Sequence, residues 1–203
     1  MRVDKIILRA VLSTVAAMLI LFAFMILALT FLYPSTMMLI SYDLGLENAS
    51  INCAARAYGY SNEVYYIAYA TEVAIGADND EKIVLCGDKL LGDKNFETYC
   101  VERNAALPDG VTGDYEQYVY GQICTAKYRL GDKTGAVDLA FQSLEENKFP
   151  ENNAAAAVLL VALGNEGKSG ATVNAIKTKM NEMTNTLQGD RTYFDGIFAL
   201  LNE

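Results

Sequence analysis

The chain contains neither histidine nor tryptophan. Without histidine it lacks the side chain that most often moves protons near neutral pH, and a leading metal ligand. A Ser-His-Asp triad, a Cys-His pair and an HExxH zinc site are all excluded. Proline occurs only three times, so few points force the chain out of a helix. Strand-like alternation and Asn-Gly hairpin signals are almost missing. No pair of the four cysteines is spaced C-x-x-C, which removes thioredoxin-type redox chemistry and zinc ribbons. No GxGxxG or GxxxxGK[ST] occurs. "GNEGKSG" at 164–170 ends like a phosphate loop but has Ala162 where the first glycine belongs. "DNDEKIVLCGD" at 78–88 fails as a calcium loop, with Ile83 in the glycine place and Lys89 in the glutamate place.

A long apolar run is what is present. Residues 10–33 are 24 residues without a charge, roughly 36 Å as a helix, enough to cross a ~30 Å hydrocarbon core. The run is longer than a signal-peptide core and lacks an A-x-A-like site, so residues 6–33 are expected to be a retained membrane anchor. Arg2, Lys5 and Arg9 precede it, and Asp43 and Glu47 are the first charges after it. The positive-inside rule then puts the N-terminus in the cytoplasm and the rest outside. Three basic residues and one acid give residues 1–34 a charge of +2. With −9 for the whole chain, residues 35–203 carry −11. That surface repels phosphate backbones, and nucleic acid is not an expected partner.

Beyond the anchor, the pattern predicts helices at about 46–58, 62–76, 79–91, 94–105, 114–130, 133–147, 152–165, 169–187 and 190–202. The apolar stretch 34–44 is expected either to continue the anchor around a kink at Pro34 or to begin a new helix at the interface. Glycines fall near the predicted helix ends, and Asp78, Asp132 and Asp190 near predicted starts. "LPDGVTGD" at 107–114 is the longest break.

A repeat emerges on alignment. Tyr120, Ile123, Cys124, the turn Gly131-Asp132, Val137, Ala140 and Leu144 shift by −54 to Tyr66, Tyr69, Ala70, Ala77-Asp78, Ile83, Cys86 and Leu90. A shift of −86 gives Pro34, Met37, Met38, Gly45-Leu46, Ile51, Ala54 and Tyr58; one of +36 gives Ala156, Leu159, Leu160, Gly167-Lys168, Val173, Ile176 and Met180. Successive offsets are 32, 54 and 36, the long one implying about 20 inserted residues near 97–116. "DRTYFDGIFALLNE" reads as a terminal helix, 190–202, sealing the last unit.

The pattern resembles the tetratricopeptide repeat: Tyr120, Ile123, Cys124, Gly131 and Ala136 follow that family's order of aromatic, aliphatic, small residue, glycine turn and small residue. Lys82 and Lys89, standing where the family prefers alanine, depart from it, as does the late Pro150. The apolar run implies a transmembrane helix in residues 1–34, and the resemblance implies an all-α fold with a stacked helical-hairpin array in 35–203. It implies a groove that holds a protein or peptide segment, lined by Ile67, Thr71, Tyr118, Thr125, Tyr128, Arg129 and Asn165, with no cofactor. It also puts Cys86 and Cys124 in small packing slots, which favours buried thiols, although an even cysteine count outside the membrane permits disulfides. The expected function is a membrane-anchored scaffold or accessory subunit. The alternatives are an envelope hydrolase using paired carboxylates, or a small-ligand domain with an enclosed pocket.

Overall fold

The computed structural model describes residues 2–108 and 114–145, and every regular element there is helical. The predicted helices 152–165, 169–187 and 190–202 and the fourth repeat copy lie outside the described residues, as do Asp190 and Asn165. Eight helices are described: α1 (Arg2–Leu32), α2 (Pro34–Asp43), α3 (Glu47–Ser61), α4 (Val64–Gly76), α5 (Asp80–Leu91), α6 (Phe96–Ala105), α7 (Tyr115–Arg129) and α8 (Lys133–Glu145). They divide between Asn62 and Glu63 into two units.

In the first unit, α1 has an apolar stretch, Ile7–Leu32, long enough to cross a membrane, and its side chains lie exposed or half-exposed throughout. The helix stops because Pro34 cannot donate a backbone hydrogen bond. Pro34 then takes the first position of α2, where its fixed φ suits a helix start. The stretch 34–44 is thus a new helix. Thr30's carbonyl loses the N–H that residue 34 would have supplied, and Arg56 of α3 replaces it: Nη1 donates to Thr30 O at 3.0 Å. The same guanidinium stands 4.1 Å from the centre of the Phe31 ring. Helices α2 and α3 pack as a hairpin, tied by the Ser50 hydroxyl donating to Met38 O at 2.7 Å in a buried place.

In the second unit, α4 packs on α5, α5 on α7, α7 on α8, and α6 touches both α4 and α7. Helix α5 buries Ile83, Cys86, Gly87 and Leu90, an i, i+3, i+4, i+7 stripe. Its start is capped by Asn79, whose Oδ1 accepts from Lys82 N at 3.1 Å. Asp132 caps α8 in the same way, accepting from Gly135 N at 2.9 Å, and Asp114 caps α7 through Gln117 N at 3.2 Å. Helix α7 is covered by three neighbours and buries residues nearly all round, including Val119, Tyr120, Ile123, Cys124 and Ala126. Gly87 lets α5 and α7 approach closely: a Cβ there would lie 2.5 Å from Ile123 Cδ1.

One turn is built three times. Gly45, Asp78 and Gly131 all have positive φ, at 70°, 49° and 86°. Each donates its N–H to the carbonyl three residues back (Tyr42, Ile75, Tyr128) at 2.9–3.0 Å. The following residue donates five back (Ser41, Ala74, Lys127) at 2.8–3.0 Å. This is the Schellman arrangement that ends helices and satisfies their last carbonyls. The three residues are 33 and 53 apart, not 32 and 54 as the alignment predicts. The alignment set Ala77 against Gly131, whereas the left-handed residue is Asp78, a type that tolerates that conformation. In the corrected register the fifth residue after each turn is Ser50, Ile83 or Ala136, and the ninth is Ala54, Gly87 or Ala140; all six are buried. Lys82 therefore does not occupy a packing slot; Ile83 does. The extra 20 residues of the longer interval hold α6.

Candidate functional site

Side chains from α4, α6 and α7 converge where the inserted helix lies against the other two. On α4, Tyr65, Tyr69 and Glu72 follow i, i+4, i+7 and share a face. The Tyr65 ring packs edge-on against Tyr66, with centroids 5.4 Å apart, and lies 6.3 Å from Tyr69. Arg103 of α6 donates from Nη2 to both Glu72 carboxylate oxygens, at 3.2 and 3.1 Å. Its guanidinium also lies 5.7 Å from the centre of the Tyr115 ring. Tyr99 of α6 meets Tyr115 of α7 edge-to-face at 5.7 Å. Asn104 Oδ1 accepts from Tyr115 N at 2.9 Å, so α6 also caps the first turn of α7.

The electrostatics follow from this arrangement. Burial, then the neighbouring Glu72 carboxylate, holds the Tyr115 hydroxyl far above the usual phenol range. Tyr99 and Tyr118 are raised in the same order of causes. Arg103 is raised chiefly by Glu72. The site therefore presents neutral phenols around a carboxylate paired with Arg103. Such a set is suited to hydrogen bonding and ring contact, not to nucleophilic attack.

The positions predicted for a groove fare differently. Tyr118 is 42% exposed and belongs to this cluster. Tyr128 is half-buried, and Arg129 is exposed but engaged, donating to Asp78 Oδ1 at 2.9 Å and Asp80 Oδ1 at 3.3 Å. Ile67 and Thr71 are fully buried and Thr125 is 7% exposed, which corrects the expectation that they line an open groove. Ile67 and Thr71 lie on the face of α4 that also buries Ala68, Ala70 and Ala74. Thr125 is enclosed because α7 is covered on several sides, and its hydroxyl donates to Gly121 O at 2.9 Å. Thr71 makes the same local bond to Ile67 O at 2.8 Å. In the corrected register Tyr118 matches Tyr65, which is 46% exposed, and Thr125 matches Glu72.

Glu72, Tyr99 and Arg103 were missed by sequence reasoning because the contacts that gather them with Tyr115 join residues 12 to 31 apart. The Tyr65-Tyr69-Glu72 spacing was the one local signal. The four cysteines are buried thiols, and none of the permitted disulfides forms. Burial pushes the Cys124 thiol up to about 12 and raises Cys53 and Cys86 as well. Comparison with protein-family models, with characterised proteins and with solved structures finds no match for this chain.

Proposed function

We propose that the chain is a single-pass, membrane-anchored interaction module, its helical hairpins a tetratricopeptide-like repeat held on the outer side of the membrane with the N-terminus in the cytoplasm. It acts as a scaffold or accessory subunit and needs no cofactor. The observation that carries this is the recurring turn at Gly45, Asp78 and Gly131, with a small buried residue nine positions later each time. Repeated hairpins of this kind offer matched positions on successive first helices for a partner segment. Tyr65 and Tyr118 are such a pair, both well exposed, and tyrosine gives large contact area at low entropic cost. The bound partner is a protein or peptide segment laid across Tyr65, Tyr118 and the α6 surface. A carboxylate hydrolase would need two facing acids; Glu72 faces an arginine and phenols instead.

Crosslinking in native membranes followed by mass spectrometry tests the proposal. A partner captured by the wild type should be lost with Tyr65→Ala/Tyr118→Ala while helical content and melting stay unchanged. Capture of nothing across several detergents and crosslinkers removes the main support for a scaffold. Orientation has its own test: a cysteine placed at exposed Glu97 should react with an impermeant reagent from outside intact cells, and reaction only after lysis overturns the topology.

A further inference from the structure

Within the first unit, a cavity of about 530 Å³ opens between α1 and the α2–α3 hairpin. Its α1 wall carries Phe22, Met25 and Leu29, all inside the stretch long enough to cross a membrane. The facing wall includes Ile40 of α2, Leu44 just after it and Ala49 of α3. Arg56 is the one charged residue lining it, and it sits by Thr30 and Phe31 at the end of α1. The volume falls in the ~300–1,000 Å³ range of small-molecule sites.

We propose that this cavity holds one acyl chain of a membrane lipid, with the lipid phosphate toward Arg56 and the tail toward Phe22. The proposal rests on α1 crossing a bilayer. If it does, hydrocarbon lies against Phe22–Leu29, and the cavity continues that apolar surface. Water is a poor occupant, because a buried water needs two to four polar partners. The few polar groups here are partly engaged already: Thr30 Oγ1 donates to Ile26 O at 2.8 Å and Arg56 donates to Thr30 O. An empty cavity would forfeit the dispersion contacts of its whole lining. A lipid tail satisfies both conditions, and its direction fits the single cation at the outer end of the span.

The test uses the full chain in nanodiscs containing phosphatidylglycerol with a photoactivatable group in its acyl chain. Labelling is expected on α2 and α3 around Ile40, Leu44 and Ala49, beyond the span itself. Ala49→Trp fills the cavity and should abolish that labelling while label on outward α1 residues such as Leu19 and Leu21 persists. Ile40→Trp repeats the test from the other wall, in case the first variant folds poorly. Label on α1 without label on α2 and α3 overturns the inference and leaves the anchor standing. Label on neither overturns the anchor itself. Unchanged labelling in both tryptophan variants also overturns it, as does a crosslink joining α2 to α1 of a second copy, which would make that copy the occupant.

Discussion

The α2–α3 and α4–α5 hairpins share one turn and differ in what surrounds it. Around the first turn, Leu39, Ile40, Tyr42, Leu44 and Leu46 are exposed apolar side chains. Around the second, the surface is polar: Arg129 reaches Asp78 and Asp80, and Lys127 reaches Asp88 at 2.8 Å. The backbone recipe is the same, so the turn sets only the hairpin, and the side chains set its surface: mostly apolar around the first turn, with Asp43 and Glu47 beside it, and charged around the second. The buried position nine residues on differs too, Ala54 in the first hairpin and Gly87 in the second. There α5 must admit the Ile123 side chain of α7, and a methyl group has no room.

The sharpest way to break this comparison is to change the matched position in each hairpin. Gly87→Val should cost about 3 kcal/mol, since overpacking a tight core contact forces neighbours off their rotamers. Ala54→Gly should cost only about 0.5–1 kcal/mol, the usual loss for glycine inside a helix. Thermal unfolding in a mild detergent measures both, and equal losses would mean that the α5–α7 approach is not tight.

Next in size is an alkaline effect, strongest at Cys124 in the second unit. The folded chain keeps the Cys124 proton to about pH 12, whereas an unfolded thiol releases it near its ordinary value of 9.0. Above pH 9 the folded state therefore binds the extra proton, and its advantage, complete below pH 9, falls as pH rises. The slope is at most about 1.4 kcal/mol per pH unit. Denaturant titrations at successive pH values should show it, with Cys124→Ala flattening the decline between pH 9 and 10. An unaltered slope in the variant would assign the decline to other groups.

Gly131 and Asp78 allow a smaller test of the turn itself. A Cβ at Gly131 meets nothing within 4 Å, so Gly131→Ala should cost about 1 kcal/mol from backbone conformation alone. Asp78→Gly relieves that strain but loses an exposed ion pair worth about 0–1 kcal/mol, and should leave stability nearly unchanged. The smallest effect is expected at the half-exposed Glu72–Arg103 pair. Glu72→Gln should cost no more than about 1 kcal/mol. The same change should let the phenols of Tyr115, Tyr99 and Tyr118 ionise at lower pH, read by tyrosinate absorbance, because Glu72 helps raise all three.

Much of this fold was legible from local pattern. The α5 stripe, the glycine turns at 45 and 131 and an extra helix in the long interval all follow from spacing within about 15 residues. The third turn was hidden because its left-handed residue is an aspartate. The candidate site was hidden for a different reason. Glu72 meets Arg103 across 31 residues and Tyr115 meets Asn104 across 11; only packing of the inserted helix brings them together. Arg56 lay between these cases, since Pro34 leaves Thr30's carbonyl in need of a donor, but nothing in the order of residues says which side chain will supply it.

That last contact has a consequence in time. A helix normally satisfies its own backbone as it forms, turn by turn. Here the carbonyl of Thr30 waits for a guanidinium 26 residues further along the chain. At synthesis rates of about 5–20 residues per second the delay is on the order of seconds. During that interval the C-terminal end of α1 is unfinished, and the first unit closes only once α3 has been made.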